Sequence, residues 1–488
     1  MILDVIRRSI CLSALAFAAM LVGPPPAMAQ AASPSGATAG LPTFDKAWQI
    51  VRDTHFDPAF NGVDWERVRD ELRPRAAAAQ STAELRPLIQ AMLDRLGQSH
   101  FVLLPSDAVT SGGRGEPADQ SGEAGFDVRL LDGRVVVTRV EAGGPAQAEG
   151  IVPGWIVQAI DDQPVAGLLG RLPATLPPRL LNVEAWKITT TRLRGPVGSV
   201  ARLDLVDGRG AAQRRSVVRR PESGEPVTVG SLPTFRVRVS RDRVKGPRGA
   251  DIGVIGFNVW MTPVDVQFGA AIDEFRDADG LIIDLRGNPG GLAAMLMGIA
   301  GYVLEEPITL GTMRTRATEL RFTANPRRVN AAGARVTPYA GPVAILVDAM
   351  TGSASECFAG GLQAIGRARI FGQPSMGQAL PALFDRLPNG DVLLHAYGDF
   401  QTARGVSLEG RGVIPDEAAP LLREDLLAGR DQAMLGAMAW IAERRRSRGF
   451  ATSRRALLHY VDPAFLPTQP ADRIFGGIID GATPGSAR

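Results

Sequence analysis

Apolar positions in the first hundred residues fall at helical spacing. Phe44, Trp48 and Val51 repeat at four and three, as do Trp65, Val68 and Leu72. A third run, Leu85, Leu88, Met92 and Leu96, follows Ser81 and Glu84 at capping-box spacing, and Gly97 supplies a C-cap. These runs predict an N-terminal helical region over 43–105. The third helix ends just before Gln98-Ser99-His100, which puts a histidine at a helix exit. His55 falls on the first helix as a half-buried packing residue. Residues 30–42 read as a mobile leader and 106–121 as a linker, both by composition. A strand over Arg134–Val140 follows, among glycine-rich turns.

Residues 223–250 read as a Pro/Gly/Arg-rich connection. The pattern beyond them is α/β: strand Ile252–Val259, helix Val264–Phe275, buried strand Leu281–Leu285, helix Leu292–Leu304, buried strand Val343–Asp348 and a helix to Ile365. Val392–Ala396 is a further strand, and helices including Ala433–Arg446 close the chain within a tail over 418–488.

Composition narrows the class without naming it. The 488 residues predict about three domains. Hydrophobic content of 45% and charged content of 22% exclude a disordered, collagenous or coiled-coil chain. The net charge of +3 is spread among acids, and only 6% of residues are aromatic, so no nucleic-acid partner is expected. Lysine is rare: Lys46, Lys187 and Lys245 are the only ones.

The first 29 residues read as a secretory signal. Arg7 and Arg8 precede an apolar run from Ile10 to Val22, then Ala27-Met28-Ala29 before Gln30. Cleavage there removes Cys11 and leaves Cys357 without an intramolecular partner. Elsewhere the longest apolar stretch, Leu292–Leu304, is too short to cross a bilayer. The expectation is an exported, periplasmic protein with no integral span after signal cleavage.

Two strand-to-helix junctions could carry chemistry, at Gly290-Gly291 and at Ser353. A serine at a helix N-terminus can act as a nucleophile, since free N–H groups there stabilise negative charge. Taken alone, Ser353-x-x-Glu356 reads as a capping box. Gly290-Gly291 lacks the spacing of the phosphate-binding loops, and no G-x-S-x-G elbow surrounds Ser353. Four histidines without HExxH or cysteine-rich spacing imply neither metal nor cofactor.

Two resemblances change the picture. Ala124-Gly125-Phe126, the strand to Val140, Gly143-Gly144-Pro145-Ala146 and Pro153-Gly154-Trp155-Ile156 closely resemble a PDZ domain of the bacterial protease type over 120–222. That resemblance implies that Ala124-Gly125-Phe126 offers backbone N–H groups to a peptide's C-terminal carboxylate while the peptide adds as a strand. Behind it, Asp284-Leu285-Arg286-Gly287-Asn288-Pro289-Gly290-Gly291, Ser353-Ala354-Ser355-Glu356 and Glu409-Gly410-x-Gly412-Val413-x-Pro415-Asp416 resemble the tail-specific, or C-terminal processing, serine peptidases.

This second resemblance implies an α/β fold: a ClpP/crotonase-like β-β-α core over 250–417, with an N-terminal helical region and an inserted PDZ domain. It places the nucleophile on Ser353, not Ser355, and the oxyanion-hole amides on Gly291 and Ala354. The best-known members carry a lysine base where this chain has Gln378, an amide unable to take the serine proton. A tricorn-core branch uses histidine, and by that likeness His100 is the base while Ser99 and Glu409 orient and polarise it. With the ordinary imidazole pKa near 6.5, activity is expected to rise with pH through a pKa within about a unit or two of that value. His395 is the alternative base, and His459 belongs to the tail. The partners implied are proteins or peptides with free C-termini. A catalytically inactive peptide- or apolar-ligand-binding protein on the same scaffold is the alternative, and a crotonase-type acyl enzyme is a third.

Overall fold

The computed structural model describes residues 40–106, 121–174, 176–229 and 234–458. The segment read as a signal, 1–29, most of that read as a leader, residues 107–120, His459 and the end of the tail lie outside the described residues.

Three helices open the described chain: α1 (Gly40–Thr54), α2 (Trp65–Ala78) and α3 (Thr82–Asp94). The first begins inside the segment read as leader. Its apolar stripe meets those of α2 and α3 in one core with Phe44, Trp48, Val51, Trp65, Leu72, Ile89 and Met92. Two tryptophans lock the crossing, since each indole N–H donates to the other's backbone carbonyl (3.1 and 3.2 Å). Ser81 caps α3 by accepting from the Glu84 N–H, while the Glu84 carboxylate reaches back to Gln80. The short strand β1 (Val102–Leu104) follows at once.

An inserted β domain comes next, with β2 (Phe126–Leu131), β3 (Arg134–Val140), β4 (Ile156–Ile160), helix α4 (Pro178–Leu193), β5 (Val200–Val206) and β6 (Ala212–Val218). The sheet order is β2-β3-β4-β5-β6, with the short strand Gln163–Pro164 beside β4. β2 is therefore an edge strand.

The residues read as a connection hold more structure than composition suggested. Glu225–Val227 pairs with Phe235–Val237, and β7 (Val239–Lys245) pairs with β8 (Asp251–Phe257) along its whole length. β7 sits at a sheet edge with mostly exposed polar side chains, so it lacked the apolar alternation that marks a strand. From β8 the chain runs through α5 (Pro263–Glu274), β9 (Gly280–Asp284), α6 (Met295–Ala300), the antiparallel pair β10 (Ile308–Arg314) and β11 (Glu319–Ala324), β12 (Val343–Val347), α7 (Ala354–Ala364) and β13 (Ala368–Gly372). The helix expected over Leu292–Leu304 is shorter than its apolar run, because turns occupy both ends.

The chain continues through β14 (Ala382–Arg386), β15 (Val392–Ala396), β16 (Asp399–Thr402), β17 (Glu417–Ala418), α8 (Arg423–Leu427) and α9 (Gln432–Leu458), which runs longer than expected. The main sheet has the order β7-β8-β9-β12-β13-β17, parallel except between β7 and β8.

Both faces of this sheet are covered, which explains the unbroken apolar runs in β9 and β12. Leu281, Ile283, Val343 and Ile345 face one core with Phe268, Leu296 and Phe358. Ile282, Ala344 and Leu346 face the other, with Ile441 and Ala437 of α9. Among the described residues no helix is long and apolar enough to cross a membrane. The loops leaving the carboxyl ends of β9, β12 and β13 lie side by side, where open α/β sheets place ligands.

Candidate active site

β9 ends in the loop 285–291 and β12 in the loop 348–353, and hydrogen bonds hold the two together. Gly287 N–H donates to Asp348 Oδ1 (2.9 Å), Gly352 N–H to the Asn288 carbonyl (3.0 Å), and Thr351 Oγ1 to the Leu285 carbonyl (2.9 Å). Gly290 packs directly on the serine, for a Cβ there would lie 2.7 Å from Ser353 Cβ. Gly291 bridges to Trp260: Trp260 N–H donates to the Gly290 carbonyl and Leu292 N–H to the Trp260 carbonyl. In that pattern Gly291's own N–H points away from Trp260. Ala354 is the first residue of α7, so its N–H has no partner within the helix.

Ser353 is 1% exposed and carries φ 52°, a left-handed value for a non-glycine residue. Such a conformation costs roughly 1–3 kcal/mol and persists where its surroundings over-determine it. Here the Ser353 N–H donates to both the Gln378 carbonyl (3.0 Å) and Glu356 Oε2 (2.9 Å). Glu356 thus forms its arm of the capping box, but the Ser353 hydroxyl makes no hydrogen bond. Ser355 is differently employed, accepting from the Trp260 indole (2.8 Å).

His100 also has a positive φ (62°) and is 6% exposed. Its Nδ1 lies 2.7 Å from Ser99 Oγ, which lies 2.9 Å from Glu409 Oε2. Ser99 N–H donates to Glu409 Oε1 (2.8 Å), and Ala379 N–H donates to Oε2 (3.0 Å). Ser99 has one hydroxyl hydrogen, which goes to the carboxylate, so its oxygen accepts from Nδ1–H. The neutral imidazole therefore carries its proton on Nδ1 and an unprotonated Nε2. That Nε2 is buried without a partner.

Gln378-Ala379 ties the two halves together, with the Gln378 carbonyl on the Ser353 N–H and the Ala379 N–H on Glu409. Burial, aided by the charge of Lys187, lowers the His100 pKa to about 4, and burial raises Glu409. The His100 value lies below the expected range of about a unit or two around 6.5, because a buried ring loses hydration of its charged form.

Residues 251–419 match peptidase family S41, and residues 43–94 match the tricorn protease C1 domain. The chain is a serine peptidase. The peptidase is 25% identical over 377 residues to the carboxyl-terminal-processing protease of Synechocystis sp., spanning 76% of this chain and 79% of that one. It is 26% identical over 400 residues to the putative tricorn protease homolog 2 of Streptomyces coelicolor, spanning 79% of this chain and 31% of that one. It shares its fold with the photosystem II D1 C-terminal processing protease (TM-score 0.54, 21% identity, 81% of this chain and 99% of that one). Mature CPAF is a second solved neighbour (TM-score 0.52, 14% identity, 83% and 97%).

The peptidase's other histidines lie elsewhere. His395 is fully buried between Thr54 Oγ1 (3.0 Å) and Asp385 Oδ2 (2.8 Å), where it ties α1 to the β14–β15 hairpin. His55 lies just beyond α1, fully rather than half buried, and its Nε2 meets Gln98 Oε1 (2.9 Å). Lys245 is exposed at the β7 edge beside Asp251, whereas Lys187 on α4 pairs with Glu184 and acts on His100 by its charge. Among the described residues no cluster of His, Cys, Asp and Glu is placed to hold a metal ion.

The sequence reading missed three groups around the site. Arg129 of β2 donates to Asp348 Oδ2 from two nitrogens (3.1 and 2.9 Å), joining the inserted domain to the loop before Ser353. Asn288 Oδ1 accepts from Gly290 N–H (3.0 Å) and holds the glycine turn. Glu356 was visible only as a cap. In the inserted domain, Gly125 has φ 75° and Ala124 is buried just before β2, while the Trp186 indole of α4 donates to Asp127 (3.1 Å).

Proposed function

We propose that Ser353 is the nucleophile and His100 its general base, with Ser99 and Glu409 fixing the imidazole tautomer. One observation carries this reading. Apart from arginine Nε atoms and one Asp251 oxygen, Ser353 Oγ and His100 Nε2 are the only buried side-chain polar atoms lacking a hydrogen-bond partner among the described residues. One is a donor and the other an acceptor. Buried polar groups are normally satisfied, so two complementary orphans on adjoining loops suit a proton transfer that substrate binding completes.

In acylation the Ser353 hydroxyl proton passes to Nε2 as Oγ bonds to the substrate carbonyl carbon. The oxyanion faces the Gly291 and Ala354 N–H groups, and the new imidazolium returns the proton to the leaving amine as the C–N bond breaks. Water then repeats the sequence on the acyl-enzyme. Alanine at 354 suffices because the contribution is a backbone N–H.

The substrates proposed are exported proteins with free, apolar C-termini, the inserted domain acting as a PDZ module. A peptide would extend the sheet along the edge strand β2, its carboxylate at Ala124-Gly125-Phe126. Signal cleavage after Ala29 would deliver the peptidase to the periplasm.

A fluorophosphonate probe tests the catalytic assignment. Wild type should be labelled, Ser353→Ala should not, and His100→Ala should lose about as much activity as Ser353→Ala. Rapid labelling of His100→Ala would overturn the base assignment. For the recognition step, amidated peptides should bind more weakly than free acids, and equal affinity would exclude carboxylate capture.

A further inference from the structure

Glu356 stands on the first turn of α7, three residues after Ser353, and is fully buried. Four donors converge on its carboxylate. The Ser375 hydroxyl (2.5 Å) and Gly377 N–H (2.6 Å) reach Oε1; the Ser353 and Gln378 N–H groups (2.9 Å each) reach Oε2. Ser375 Oγ already accepts from Val413 N–H (2.6 Å), so its own hydrogen must point at Glu356. Every partner gives a hydrogen and none offers an acceptor, which only an ionised carboxylate satisfies fully. No arginine or lysine pairs with it among the described residues. Its charge is held by hydrogen bonds at the N-terminus of α7, where the helix dipole favours an anion.

Resting on the assignment of Ser353 as nucleophile, we propose that Glu356 is a positioning residue. As an anion it clamps the Ser353 backbone to the 375–378 turn and so holds the nucleophile in its strained left-handed conformation. The clamp spans the join on which the two catalytic halves depend, because Gln378 takes the Ser353 N–H on its carbonyl and its own N–H goes to Glu356. Protonating Glu356 removes one acceptor position and sets an O–H against a donor, which loosens that join.

Burial supports this sensitivity by raising Glu356 to about 7, against the pull of Ser375, Gly377, Ser353 and Gln378. Cys357 stands beside it, Arg179 of α4 lies against Gly377, and Glu409 and His100 lie across residues 377–379; Asp399 on β16 acts by its charge on Cys357 and Glu409, and Lys187 of α4 on His100. None hydrogen-bonds to the carboxylate. His100 is already neutral well below pH 7, so the acid limb of the activity belongs to Glu356.

The test is the second-order rate of fluorophosphonate acylation against pH, which needs no natural substrate. Wild type should show a limb near pH 7. In Glu356→Gln the rate at pH 8 should fall about tenfold to a hundredfold, and the limb near 7 should vanish, leaving that of His100 near 4. Should that variant fail to fold, Ser375→Ala serves, since removing one donor should move the limb to higher pH. A purely structural role would lower the rate equally at every pH with the limb in place, and that outcome overturns the proposal while leaving Ser353 as nucleophile. Absence of labelling at Ser353 in wild type would overturn both.

Discussion

Ser99 has one hydroxyl hydrogen, and Glu409 takes it. That choice sets the direction of the relay and hence which nitrogen of His100 is free. Glu409→Gln would place an amide N–H either against the Ser99 N–H or against the Ala379 N–H, and the second arrangement reverses the hydroxyl and puts the proton on Nε2. The expected loss is on the order of 10² to 10⁴ in kcat/KM, by analogy with tautomer errors in other triads. Peptidase assays with the variant, checked for an unchanged Tm, measure it. The resemblance gives Glu409 as a residue that orients and polarises His100, while the tautomer cannot be read from spacing.

At the scale of elements, the helices of the N-terminal region and the strands of the main sheet were legible because each buries one regular face or two. The residues read as a connection were not, since β7 is an edge strand whose side chains stay in water. The set proposed as catalytic, Ser99, His100, Ser353 and Glu409, came only through resemblance; local pattern offered a capping box and a loop histidine. Glu356 hid behind that same box, for a cap and a clamp share one spacing. Arg129 was hidden because its partner Asp348 lies 219 residues away. The loop geometry now permits a prediction that spacing did not. Gly290 has φ 112°, and a Cβ would lie 2.7 Å from Ser353 Cβ. Gly290→Ala should abolish labelling of Ser353 while the far-UV circular dichroism stays native; labelling at the wild-type rate would mean the two loops are not in contact.

For the molecule as a whole, the two titrating groups oppose each other. Glu356 titrates at about 7 when folded against 4.5 when exposed, so the folded state holds the extra proton. Its contribution is complete below 4.5 and is lost as pH rises through 7. His100 runs from 6.5 down to about 4, so its contribution is complete above 6.5 and is lost as pH falls through 4. Each amounts to about 3 kcal/mol, and between 4.5 and 6.5 the slopes cancel. Glu356→Gln removes one side of the balance. Relative to wild type, its deficit in urea unfolding should be about 2 kcal/mol larger at pH 5 than at pH 7.5; a constant difference would contradict the burial of that carboxyl.

The short helix α8 reaches back to the inserted domain. Arg423 donates to the carbonyls of Gly154 and Asp207 (2.8 Å each), and Leu427 fills the space where Cβ atoms on Gly154 and Gly208 would stand. The first of these bonds joins residues 269 apart in sequence. A chain clasped in this way behaves as a noncovalent ring, and the entropy of closing so long a ring exceeds that of one half its size by only about 0.6 kcal/mol. A few contacts therefore suffice to keep it shut. Amide exchange should report the opening: Arg423→Ala with Leu427→Ala should speed exchange across the turn that leads into β4 and leave β9 and β12 as slow as before. The turn that answers to residues 423 and 427 was made long before them in the growing chain, so its final protection arrives only when the far end of the ring does.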